Sequence, residues 1–143
     1  MNDNDELEKV ITIVLTALKK IREEEFDDRK CSAMAAAALE VQCKLADILA
    51  TTEFEAKHAK NELEFVIGER AIEIRKTAEP LKASGKVTEG QIEAMVNKDP
   101  EIKEKKLELE KTERVFKKWY YLSSSMKEAH IFFRGLEKNK NSF

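Results

Sequence analysis

The chain has 143 residues, of which 42% are hydrophobic and 38% charged, with only four glycines and two prolines. That length suits one domain, and so few turn residues among so many helix formers exclude sandwiches, barrels and Gly-loop nucleotide folds. A net charge of −2 excludes a histone-like polycation, although a local stripe of cations can still attract phosphates. Charge is graded along the chain: residues 1–50 carry a net −4, residues 51–98 a net −1 and residues 99–143 a net +3.

Leu7, Val10, Ile11, Val14, Leu18 and Ile21 fall at helical spacing and predict an amphipathic helix with one apolar stripe. The acidic stretch from Glu23 to Asp28 would oppose the dipole at the end of one helix and support it at the start of the next. A junction is therefore expected around residues 24–28. Next comes an Ala-rich segment, Ala33 to Ala38, leading into Leu39, Val41, Leu45, Ile48 and Leu49. Alanine is the best helix former and allows neighbouring helices to approach closely. Thr51 and Thr52 either interrupt this helix or are carried through it. The pattern resumes with Phe54, Leu63, Val66, Ile67 and Ile74, and Gly68 within it costs about 1 kcal/mol relative to Ala, too little to end a packed helix.

Pro80 and the stretch Lys82-Ala83-Ser84-Gly85-Lys86 predict a connection. Thr88 and Gln91 fit a capping box opening a short helix with Ile92, Met95 and Val96 on one side. Asp99-Pro100 is a second start signal, with Asp as N-cap and Pro at the first helical position. From there to about Leu136 only Gly135 breaks the run. Ile102, Leu109 and Phe116 repeat every seven residues, as do Trp119, Met126 and Phe133, with Leu122, Ala129 and Leu136 beside them. Heptads mark coiled-coil packing. A single antiparallel partner within one chain would cover only part of so wide a face, so Leu109, Phe116, Trp119, Met126 and Phe133 are expected to line an oligomer interface. The expected fold is all-α: a long-helix, coiled-coil-like bundle.

Catalytic and metal chemistry find little footing. His58 and His130 are far apart in sequence and no Cys or His stands at ligand spacing, so no metal site is expected. No phosphate loop or nucleophile elbow is present, and carboxylates interleaved with lysines read as solvated helix faces. The expectation is a protein that is not an enzyme and needs no cofactor. Cys31 and Cys43 make no disulfide framework and suit a reducing compartment. No apolar run approaches the ~20 residues of a membrane span, and the acidic N-terminal residues lack a basic signal-peptide start. These readings predict a cytoplasmic protein without membrane contact.

The cations Arg70, Arg75, Lys76, Lys82 and Lys86 are offset only by Glu73 and Glu79. They form either a dipole complement with a wet loop or, joined by Lys60, a strip that tracks phosphates without reading sequence. A second cluster, Arg114, Lys117 and Lys118, abuts Trp119, Tyr120 and Tyr121, and aromatics beside cations can stack the bases of single strands. Trp119, by its heptad position, reads as core rather than as a stacking platform.

Gly85-Lys86-Val87-Thr88, then Gln91-Ile92-Glu93-Ala94-Met95-Val96, then Lys98-Asp99-Pro100-Glu101-Ile102 opening a long final helix, resembles the phage recombination mediator family UvsY. The resemblance covers residues 28–137, with residues 1–27 as an amphipathic helical extension and residues 138–143 as a polar tail. It implies an all-helical, ring-like homo-oligomer that binds single-stranded DNA without sequence preference. It further implies that the protein helps a RecA-type recombinase displace single-strand-binding protein, in the cytoplasm of an infected host cell. The family's basic DNA motif falls near Glu69-Arg70, with Arg70, Arg75 and Lys76 the nearest cations, and its C-terminal helix serves assembly. The alternative is a helical protein–protein adaptor, or a coiled-coil assembly protein, that ignores nucleic acid.

Overall fold

The computed structural model describes residues 3–20, 28–85 and 87–141. They form four helices: α1 (Asp3–Lys20), α2 (Asp28–Ala83), α3 (Glu89–Asn97) and α4 (Pro100–Asn141). No strand occurs among the described residues, in line with the all-α reading. Ile21 and the junction expected at residues 24–27 lie outside them. None of these helices is long and apolar enough to cross a membrane.

Both middle helices of the sequence reading are one. Thr52 is buried within α2 rather than capping a break, because β-branched residues cost a helix only a few tenths of a kcal/mol. The connection expected from Pro80 begins later, since α2 continues through Pro80 to Ala83. Ile74 and Ala78 are packed just before the proline, and packing of this kind outweighs the one backbone bond that proline removes. Gly85, with φ of +75°, makes the turn that follows, a left-handed geometry that glycine adopts without a Cβ penalty. The capping box forms as expected: Thr88 Oγ1 accepts from the Gln91 amide at 3.3 Å, and Gln91 Oε1 accepts from the Thr88 amide at 2.9 Å. Ile92 and Val96 are buried, whereas Met95 is half-exposed, so the side expected of α3 narrows to two residues one helical turn apart. The backbone of residues 138–141, expected as a polar tail, continues α4.

The chain divides into two compact units, residues 1–50 with 117–143 and residues 51–116. This partition cuts across the sequence boundaries at 27 and 137. In the first unit, α1 contributes Leu7, Ile11 and Val14, α2 contributes Cys31, Ala35, Ala38, Val41 and Leu45, and α4 contributes Trp119, Met126, Ala129 and Phe133 to one core. The small residues of α2 recur at steps of 4 and 3, the spacing at which one face of a helix meets its neighbours. Polar ties join the rim: Lys118 Nζ reaches Glu8 Oε1 at 2.8 Å, and His130 Nδ1 lies 3.0 Å from the Ala35 carbonyl of α2.

The second unit is thinner. Leu63 and Val66 of α2, Val96 of α3 and Ile102 of α4 form its core, with Ile67, Ala71, Ile74 and Leu109 packed against them. Asp99 caps α4 as its sequence position predicts, with Oδ1 accepting from the amides of Glu101 at 2.9 Å and Ile102 at 3.3 Å.

Candidate nucleic-acid interface

A cation can track phosphates only if it is exposed and not already neutralised. Arg70 fails this requirement. Its Nε donates to Asp99 Oδ2 at 3.0 Å, Nη1 to Glu73 Oε2 at 3.2 Å, and Nη2 to Glu101 Oε2. Its side chain is 29% exposed. The Asp99 carboxylate, opposed by partial desolvation and assisted by Glu73 and Glu101, holds the guanidinium even more firmly protonated than usual. Asp99 uses its other oxygen as the N-cap of α4, so Arg70 locks α2 to a helix start. Its place is that of a structural clamp, a correction of its assignment to a DNA strip.

The remaining cations of that strip do not gather in one place. Arg75 is exposed with Nη2 3.5 Å from Glu89 Oε2, and Lys76 is exposed one residue on. Lys60 is also exposed, but fifteen residues of helix put it about 22 Å along the axis from Arg75. The Lys82 side chain and all of Lys86 lie outside the described residues.

The expected oligomer interface is corrected in the same way. Trp119, Met126 and Phe133 are buried in the core that α1, α2 and α4 form within one chain. The wide apolar face of α4 is covered by the chain itself, because α1 supplies the extra stripe that a two-helix hairpin lacks. Leu109 packs against the core of the second unit and Phe116 is half-buried.

One basic surface was read only in part from the linear sequence, which singled out Arg114 but not Lys103, Lys106 and Lys111. Lys103, Lys106, Lys111 and Arg114 are all exposed on α4. Their steps of 3, 5 and 3 hold them to one helical face about 16 Å long. Glu110 lies among them, Glu104 borders Lys111 and Glu113 borders Lys106, while Glu101 and Glu108 project to another side of the helix. Lys106 Nζ donates to Asn97 Oδ1 at 3.3 Å. Lys105 points away from this row and pairs with Glu62 of α2 at 3.1 Å. On a 100° helical wheel the row keeps Glu104, Glu110 and Glu113 within or beside it, and only Glu101 and Glu108 fall on another side. In the first unit, Lys117, Tyr120 and Tyr121 are exposed, whereas Trp119 is enclosed beneath Lys118, whose Nζ lies 5.1 Å from the ring centroid.

The arrangement can neutralise anionic backbone charge; among the described residues no grouping of three or more His, Cys, Asp and Glu could hold a metal ion. In comparisons with known proteins, no family, curated protein or solved structure matches the chain.

Proposed function

We propose that this chain is a non-enzymatic recombination mediator. It binds single-stranded DNA without sequence preference and helps a RecA-type recombinase replace single-strand-binding protein, as a homo-oligomer in the cytoplasm of an infected host cell. The observation that carries the reading is the exposed row Lys103, Lys106, Lys111 and Arg114, four cations along one face of α4 that can contact phosphates without reading sequence. The order of helix caps through Thr88 and Asp99, which resembles the UvsY family, supports it. A ring-like assembly would have to use surfaces other than Trp119, Met126 and Phe133.

The test is anisotropy of labelled single-stranded oligonucleotides over a salt series. Neutralising four phosphates predicts a slope of log affinity against log salt of about −3, and Lys111→Gln with Arg114→Gln should flatten it by about 1.4. Binding that ignores salt, or prefers one sequence, counts against the reading. A second reading, a helical protein–protein adaptor, is favoured by the exposed Phe54, Phe65 and Ile72 of α2; it predicts no DNA binding at low salt.

A further inference from the structure

We draw no further inference here: the strongest candidate, the groove of about 480 Å³ between α1 and α2 lined by Leu7, Val10, Val41 and Ile48, carries nothing, because Glu40 and Lys44 on its rim pair with each other and nothing in the structure shows what covers it.

Discussion

The two units solve the same problem with different numbers of helices. The first unit surrounds its core with three, and the apolar stripes of α1, α2 and α4 find cover within one chain. The second has two long helices and the short α3; its core is small, and Phe54, Phe65 and Ile72 remain outside it. Its helices are held by charge as well as by burial: Arg70 among Asp99, Glu73 and Glu101, and Lys105 with Glu62. Three helices enclose a centre; two enclose only a seam. The difference teaches how deep each core is, not where apolar surface is left, since Ile13, Ile131 and Phe132 of the first unit are exposed as well.

The largest expected effect lies in the enclosed unit. Phe133 is fully buried, and Phe133→Ala should lower unfolding free energy by about 3–5 kcal/mol. Denaturant titration followed by the fluorescence of Trp119, in the same core, measures it. A loss under 1 kcal/mol would mean that this core is not closed. Ile102 is as deeply buried in the second unit. A two-helix unit collapses more readily onto a vacated site, so Ile102→Ala should cost about 2 kcal/mol, the low end of the range for that change. An equal cost at both positions would erase the contrast between the units.

Gly68→Ala sharpens the comparison in the other direction. The position is exposed, helical and open around the Cβ, so alanine should stabilise the chain by about 1 kcal/mol by its higher helix propensity. Thermal unfolding checks this, and a destabilised variant would show that the glycine serves packing within the monomer.

The smallest effect is electrostatic. Hydrogen bonding and charge from Lys105, with a lesser contribution from His58, hold the Glu62 carboxyl below its ordinary value of 4.5, and Glu62 in turn raises Lys105 above 10.5. A carboxylate with a lowered folded pKa stabilises fully above its unfolded pKa and loses that contribution as pH falls through the folded one. A lysine with a raised pKa stabilises fully below its unfolded value and loses its contribution as pH rises through the raised one. The pair should therefore act from about pH 4.5 to 10.5 and fade on either side. Glu62→Gln should abolish the acid-side step in a pH series of melting temperatures, and a wild type with the same acid profile as the variant would remove the pair from the account.

Helix positions were largely legible in the sequence, because caps and periodicity are local. Thr88 with Gln91, and Asp99 with Pro100, make the contacts that their spacing predicts. Continuity was less legible. Thr51 and Thr52 left continuity open and Pro80 read as the start of a connection, yet Thr52 and Pro80 both sit inside α2, where neighbouring packed residues override a local preference. The candidate site was legible only in its chemistry. The charge of Arg70 was plain, and so was Glu73 one turn on, but Asp99 and Glu101 lie about thirty residues away along the chain and nothing local announces them.

What the sequence determined by itself is the helical class, the caps and the apolar repeat of each stripe, since each depends on residues within a turn or two. Tertiary structure decided which stripe covers which. It placed Trp119, Met126 and Phe133 under α1 rather than between subunits, turned Arg70 inward, and left Phe54, Phe65 and Ile72 outside. The physical reason is that periodicity fixes the face of a helix on which a side chain stands. Only the number and order of helices around that face decide whether it meets protein or water.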